Sequence, residues 1–220
     1  MAGRDDERAV VRALVDAHGE TYAHEAGITL RNTPQPLYRL LVLAHLLSAR
    51  IRGPVAVATA RALHEAGLRD PRRMAAASWQ ERVDALGRGG YRRYDERTAT
   101  QLGEGAELLL GRWGGDLRRL RAEADGDVDE LSRLLREFPG VGPSGAAIFL
   151  REVQAVWPEA GPQVDAKALQ GAGRLGLPQD PDRLLGLAGG TEPAVLSSAL
   201  VRAALDKDVV EDTLREAAAR

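Results

Sequence analysis

The sequence predicts an all-α protein, and three observations point to this fold class. Apolar residues recur three and four positions apart along most of the chain, which is the spacing of one face of a helix. No stretch shows the strict alternation of apolar and polar residues that is typical of a half-buried strand. Proline, aspartate or serine precedes many of the apolar stretches and glycine follows them, as at helix starts and ends. The 220 residues are enough for one sizeable core or two small subdomains.

The first two predicted helices differ in how apolar they are. Val10, Leu14 and Val15 indicate an amphipathic helix near the N-terminus. A long second helix is expected after the breaker at residues 32–36, and its nearly continuous apolar surface is formed by Leu37, Leu40, Leu41, Ala44 and Leu47. Such a surface predicts a buried helix at the centre of the fold.

Local signals place the starts of the next helices. They lie at Pro54, Pro71, Ser78, Asp95, Asp116 and Asp127. Ser78 and Glu81 have the spacing of a capping box, in which each residue satisfies a backbone amide of the other. The helix that begins at Asp95 is expected to continue to about Leu110. From Pro158 onward glycine and proline are denser, so shorter helices are expected there.

Composition excludes several classes of site. The chain contains no cysteine, which excludes disulfides, thiolate-bound zinc and cysteine-ligated iron–sulfur clusters. No apolar run approaches the roughly 20 residues of a membrane span, and the polar N-terminus lacks the apolar segment of a secretory signal, so a cytoplasmic location is expected. The formal net charge of −2 does not favour binding to a polyanion. A chain with this net charge can still carry a locally basic face.

Residues 131–153 carry the strongest functional signal. Two amphipathic helices are predicted on either side of a turn with the sequence Phe-Pro-Gly-Val-Gly, residues 138–142. Gly140 and Gly142 permit a tight turn with positive φ angles, and Val141 can point inward and lock the two helices together. Amides at the start of the second helix would point outward and bind phosphate without reading base sequence. An ordinary helical corner without a ligand is the alternative interpretation.

This hairpin resembles the helix-hairpin-helix superfamily of DNA glycosylases, to which endonuclease III belongs, and the likeness extends over about residues 30–178. Further matching segments are residues 46–50 (Leu-Leu-Ser-Ala-Arg), 90–94 (Gly-Tyr-Arg-Arg-Tyr), 157–158 (Trp-Pro), 163–167 (Gln-Val-Asp-Ala-Lys) and 173–177 (Gly-Arg-Leu-Gly-Leu). In that family an aspartate follows the second hairpin helix by about two dozen residues, in a Val-Asp pair that starts another helix. Asp165 occupies this position.

The resemblance implies two helical subdomains with a cleft between them. Residues 32–155 would form a helical barrel domain that carries the hairpin at about 129–155. Residues 1–31 and 156–220 would together form the second domain, which carries Asp165. Asp165 and the hairpin are expected to border the cleft. The family also holds an alkali ion on hairpin carbonyls, which here would be those of Arg136, Phe138 and Val141.

The chain departs from the family pattern in four ways. Ser144 stands where the bifunctional members carry the lysine that attacks the sugar and forms a Schiff base, so lyase chemistry of that kind is not expected. Pro143 has no amide proton, so the hairpin offers one phosphate donor fewer. Arg50 replaces the family's glutamine, which inserts into the duplex. The family's iron–sulfur cluster cannot form without cysteine, and no cofactor other than the alkali ion is expected.

Asp165 is the candidate catalytic residue. Cleavage of an N-glycosidic bond leaves a cationic, oxocarbenium-like sugar, and a neighbouring carboxylate stabilises that charge and orients or deprotonates a water. The base must leave the duplex to reach such a site, and Arg50 could fill the gap that it leaves. The alternative interpretation is that Asp165 only caps the helix that follows it.

Two sets of residues complete the predicted site. The DNA-binding residues are expected to be Arg50, Gly140, Val141, Gly142, Ser144 and Gly145. The base pocket is expected to include Tyr91, Tyr94 and His45, with Arg92, Arg93 and Arg97 as contacts to phosphate or a base edge. Each pocket residue has a simpler structural interpretation, because aromatic residues beside a glycine turn often anchor a small core and a histidine on an apolar helix is often a satisfied core residue.

The sequence therefore predicts a monomer that binds double-stranded DNA, with no membrane partner. The first hypothesis is a monofunctional DNA glycosylase of base excision repair, a hydrolase of N-glycosyl bonds that depends on Asp165. The second is a non-catalytic DNA-binding module of the same fold that recognises lesions or distorted DNA. A strand-nicking endonuclease is a weaker third hypothesis, because no metal-binding carboxylate cluster is evident. Pocket shape, which the sequence does not specify, would choose among uracil, alkylated, oxidised and mismatched bases.

Overall fold

A computed structural model describes residues 3–220 of the chain, and this part is helical throughout, with no strand. The all-α prediction is therefore confirmed. None of the helices in residues 3–220 has both the length and the apolar character that a membrane crossing requires.

The chain divides into two compact units. The larger comprises Ala23–Ala160, and the smaller comprises the N-terminal residues through Tyr22 together with Gly161–Arg220. These boundaries lie outside the predicted ones at 31/32 and 155/156. Hydrogen bonds explain the difference: the Ala23 amide donates to the buried Glu152 carboxylate at 2.8 Å, and the Trp157 indole donates to Asn32 at 2.9 Å. Both bonds join residues within the larger unit.

The larger unit is built around one buried helix. Its helices are α2 (Tyr22–Glu25), which starts at the unit boundary, α3 (Pro34–Ser48), α4 (Gly53–Glu65), α5 (Pro71–Ala76), α6 (Trp79–Arg88), α7 (Asp95–Trp113), α8 (Leu117–Glu123), α9 (Val128–Leu135) and α10 (Pro143–Val153), followed by a 3-10 turn at Pro158–Ala160. Helix α3 packs against α4 and α10, and α7 packs against α5 and α6. The α3 residues Leu37, Leu40, Leu43 and Leu46 are fully buried, which confirms the predicted central helix.

The smaller unit contains α1 (Arg4–His18), α11 (Ala166–Arg174), α12 (Pro181–Leu187), α13 (Pro193–Leu205) and α14 (Lys207–Ala218). Helices α11 and α13 cross closely, because a Cβ on Gly171 would lie only 1.8 Å from the Leu200 carbonyl oxygen. Helix α1 packs on α13 and α14.

Most helix starts follow the predicted capping residues. Ser78 and Glu81 form the capping box, and the carboxylates of Asp116 and Asp127 accept backbone amides of the turn that follows each of them. One start differs, since α3 begins at Pro34, inside the segment predicted as a breaker. A proline in the first turn costs nothing because its missing amide would have no partner there. Helix α7 also runs past Leu110 to Trp113.

Candidate nucleic-acid interface

The predicted hairpin is present, with α9 and α10 joined by the turn at residues 136–142. Gly140 has a φ of +83°, as expected. Gly142 does not have a positive φ: its angles are −90° and −169°, which is extended backbone open to any residue. A positive φ is therefore found at Gly140 and not at Gly142, because Gly142 is the extended N-cap of α10. Close approach of the Gly142 backbone to phosphate stays a prediction. Val141 is buried, and its amide donates to the Phe138 carbonyl at 3.0 Å.

The first turn of α10 offers unused amide donors to an outside ligand. Its N-cap, Gly142, has no side chain to cap the helix, and Pro143 and Ser144 are exposed. The amides of the first turn have no partner within a helix, and they lie at the positive end of its dipole. A Cβ on Gly142 would meet nothing within 4 Å, so the space beside this backbone is open. The arrangement suits a phosphate group.

The inner side of the same turn rests on α3. A Cβ on Gly140 would lie 2.4 Å from Cε1 of His45 and 2.7 Å from the side-chain oxygen of Gln101. A Cβ on Gly145 would lie 3.1 Å from a methyl of Val141 and 3.4 Å from the Ser48 hydroxyl. Gly145 is buried, unlike the exposed Ser144. These glycines therefore let the turn approach its neighbours closely on the inside.

His45 is a core residue of the larger unit. Only 6% of it is exposed, and burial lowers its pKa to about 4, against a smaller raising effect of the Gln101 side chain. The imidazole is consequently neutral at neutral pH. The structure supports the alternative interpretation of His45 as a satisfied core histidine rather than a residue that lines a base pocket.

Arg50 lies beyond α3 rather than at its end. The helix stops at Ser48, Ala49 is extended, and the Ile51 amide donates to the Ala49 carbonyl at 2.8 Å. Arg50 is therefore the central residue of a tight three-residue turn, and it is exposed. A side chain at such a position projects from the surface, as a residue that enters a duplex must.

The two tyrosines of the predicted base pocket differ in environment. Tyr91 is 2% exposed and its hydroxyl shares a 3.0 Å hydrogen bond with Thr98, so its ring is not available for stacking on a base. The expectation for Tyr91 is wrong because the ring anchors the start of α7 in the core. Tyr94 is 47% exposed, has a left-handed backbone with a φ of 69°, and lies beneath the Arg93 guanidinium at 5.0 Å. Arg92 and Arg97 are also exposed.

Asp165 is the N-cap of α11, and its Oδ1 accepts the Ala168 amide at 2.9 Å. The segment before it is held by Ser197 of α13, whose hydroxyl donates to the Gln163 carbonyl at 2.6 Å. The predicted capping role is thus confirmed, while the catalytic role stays a prediction. Lys167 is exposed and donates to Gln170 at 2.9 Å.

Sequence patterns did not reveal which residues neutralise the charge of Glu137 beside the hairpin turn, or which residues pack against the turn. Glu137 precedes the turn, and it is ion-paired with Arg112 and Arg133, which lowers the repulsion that its charge would exert on phosphate. Phe138 stacks on Trp113 with ring centroids 5.6 Å apart. Gln101 carried no recognisable signal, because it is a single polar residue on an otherwise ordinary helix. Ser48 lies in the matching segment 46–50, but that match did not indicate a contact with Gly145.

Within residues 3–220 no group of three or more histidine or acidic side chains is arranged to hold a metal ion. That finding concerns side-chain ligands only. The backbone carbonyls of Arg136, Phe138 and Val141 are a separate donor set.

No family model matches the chain, and no curated protein matches it in sequence. A solved structure does match in fold: a trapped covalent intermediate between endonuclease III and DNA, described as an estranged-adenine complex. The match has a TM-score of 0.55 and 18% sequence identity, and it covers 92% of this chain and 86% of the other. The chain therefore has the helical fold of endonuclease III.

Proposed function

We propose that this chain is a DNA-binding base-excision repair protein of the endonuclease III superfamily, and specifically a monofunctional DNA glycosylase. The observation that carries the DNA-binding part is the open first turn of α10. Its backbone is accessible beside Gly142, its N-cap has no side chain, and its inner face is fixed on α3. The fold match to endonuclease III trapped on DNA supports the same assignment.

The proposed contacts to DNA follow from the open first turn of α10 and from side chains that are exposed elsewhere. Amides of Gly142, Ser144 and Gly145 would bind one phosphate, with the methyls of Val141 holding the turn from inside. Arg50 would enter the duplex from its tight turn and occupy the space of the flipped base. Tyr94, rather than the buried Tyr91, would contact a base, because an exposed tyrosine with an arginine on its face offers a surface for stacking.

The proposed chemistry is hydrolysis at the anomeric carbon of the nucleotide. The bond from this carbon to the base breaks, a water oxygen takes its place, and one water proton is lost while the departing base is protonated. The Asp165 carboxylate would stabilise the sugar cation and hold or deprotonate that water. Ser144 carries no amine, so the hairpin supplies no Schiff base and the strand would stay intact.

An alkali ion at the hairpin is part of the proposal. Carbonyl oxygens are ligands suited to hard cations, and the Arg136, Phe138 and Val141 carbonyls belong to one turn closed by the bond from the Val141 amide to Phe138. A bound ion would add positive charge beside the phosphate. No step of the hydrolysis depends on it.

The test is a panel of duplexes that each contain one damaged or mismatched base, assayed with and without hot alkali. A monofunctional glycosylase releases the free base and leaves a strand that breaks only after alkali. Asp165→Asn should lose at least about 100-fold in excision rate, because it removes the charge beside the sugar cation, while binding stays nearly unchanged or tightens. Asparagine is as good an N-cap as aspartate, so α11 should be retained.

Asp180→Asn is the matched control. Asp180 caps α12 in the same unit by accepting the Arg183 amide at 2.8 Å, and no catalytic role is proposed for it. Full activity in Asp165→Asn would reduce Asp165 to its capping role. Trapping of a covalent protein–DNA adduct with borohydride would reveal an amine nucleophile, with Lys167 or the N-terminal amine as the first to examine.

The second candidate function is a non-catalytic module that recognises lesions or distorted DNA. Ser144 at the lysine position and the net charge of −2 favour it. Tight binding to damaged duplexes without release of any base in the panel would establish this function instead.

A further inference from the structure

His45 and Gln101 meet the hairpin turn from inside the larger unit. The backbone of Gly140 is exposed, yet the direction of its missing Cβ leads to Cε1 and Nε2 of His45 at 2.4 and 2.8 Å and to the Gln101 oxygen at 2.7 Å. The two side chains border the same small cavity beside the turn. The turn therefore rests on two polar side chains that lie side by side beneath Gly140.

The other end of the phosphate-binding segment rests on the same helix. Ser48 lies one turn after His45 on α3, its hydroxyl donates to the His45 carbonyl at 2.7 Å, and it lies beneath Gly145. Two residues further along the chain is Arg50, the exposed centre of the tight turn. One helix thus carries both supports of the hairpin and leads directly into the proposed duplex-inserting residue.

We propose that His45 and Gln101 are positioning residues for DNA binding, which hold the segment from Gly140 to Gly145 in the geometry that binds phosphate. His45 and Ser48 of α3 and Gln101 of α7 together form the support of the hairpin. This inference rests on the proposed DNA-binding function. It assigns His45 no contact with DNA and no part in the chemistry.

The physical basis is preorganisation of the amides. Backbone donors bind an anion well only when they are already aligned, because ordering them on binding costs entropy that subtracts from affinity. Phe138, Pro139 and Val141 are apolar and restrict the turn by packing alone, around a cavity of about 20 Å³ that has room for about one water. The side chains of His45 and Gln101 supply the contacts at Gly140, where the apolar residues of the turn leave this space.

The test compares two substitutions of one residue. His45→Ala removes the ring beneath Gly140, enlarges the cavity and leaves Gln101 without this partner. His45→Gln keeps a polar partner for Gln101 and most of the volume. Affinity for an undamaged fluorescent duplex, measured by anisotropy at fixed salt, should fall about tenfold in His45→Ala, or 1.4 kcal/mol. His45→Gln should restore most of the loss.

Leu86→Ala is the control for a merely structural effect. Leu86 is fully buried in α6 of the same unit and does not border the cavity. Below the unfolding temperature of every variant, a comparably destabilised Leu86→Ala protein should bind the duplex as the wild type does. Hydrogen exchange of the Val141 and Ala146 amides, which donate to Phe138 and Gly142 at 3.0 Å, reports the turn without DNA. It should be faster in His45→Ala and unchanged in Leu86→Ala.

The two measurements separate the two ideas. Unchanged affinity and unchanged exchange in His45→Ala would overturn the positioning role, as would an equal loss of affinity in Leu86→Ala. A wild-type protein that binds no duplex would refute the proposed function instead. In that case faster hydrogen exchange of the Val141 and Ala146 amides in His45→Ala would still establish that His45 and Gln101 fix the turn. Unchanged hydrogen exchange would overturn the positioning role.

Discussion

Replacement of Gly140 by alanine should destabilise the larger unit strongly, while the same replacement of Gly142 should not. The two glycines are two residues apart in one turn, and each substitution adds one methyl group. Gly140 has a φ of +83° and its added Cβ would lie 2.4 Å from the His45 ring. Gly142 has a φ of −90° and open space around its added Cβ.

The magnitudes follow from these geometries. A left-handed backbone costs an L-residue about 1–2 kcal/mol, and overpacking beside a buried ring adds about 1–3 kcal/mol. Gly140→Ala should therefore lose about 2–5 kcal/mol. At Gly142 the entropy that alanine removes from the unfolded chain contributes about 0.4–1 kcal/mol. That gain is offset by a loss of similar size, because alanine is a poorer N-cap than glycine.

Thermal and urea unfolding of both variants measure the difference. At about 2–4 °C per kcal/mol for a chain of this size, Gly140→Ala should unfold at least several degrees lower than Gly142→Ala. Equal unfolding temperatures for the two variants would refute the packing argument. So would an unstable Gly142→Ala protein, since nothing in the described residues lies close enough to its methyl group to resist it.

Two further predictions concern pH and phosphate. The pKa of His45 falls from 6.5 to about 4 on folding, so the unfolded chain binds a proton in this window that the folded chain does not. The free energy of unfolding should therefore fall by about 3 kcal/mol from this group as pH drops from 6.5 toward 4. Urea titrations across this pH range compare wild type with His45→Gln, and an identical pH dependence of the unfolding free energy in the two proteins would contradict the prediction. Gly142→Leu should weaken binding to all duplexes about equally and reduce the salt dependence, because phosphate contacts carry no sequence information; affinity unchanged from wild type would point to another DNA surface.

The hairpin and the caps were predictable because their signals are local. Ser78, Asp116, Asp127 and Asp165 each accept an amide within three residues, so their type and position in the sequence suffice to predict a helix start. The left-handed Gly140 followed from the turn pattern in the same way. The turn pattern did not fix the sign of φ at Gly142, because a glycine in a turn is compatible with either sign.

The packing partners were not predictable from these patterns. Tyr91 and Tyr94 lie in one short loop with similar neighbours, yet one is buried against Thr98 and the other is exposed. His45 was recognisable as a residue of an apolar helix, but nothing in the sequence linked it to Gly140. Such a contact joins segments far apart in the chain, so it depends on how α3, α7 and the hairpin meet in space.

The amino-acid sequence by itself determined that the chain is helical, where most of the helices begin, and that a glycine turn joins α9 to α10. These properties depend on backbone dihedral preferences and on hydrogen bonds between near neighbours. Only the tertiary structure decided which side of the turn is open and which is closed. Gly142 faces space that a phosphate can enter, whereas Gly140 is held on His45 and Gln101, because close packing in the larger unit leaves no room for a side chain at that one position.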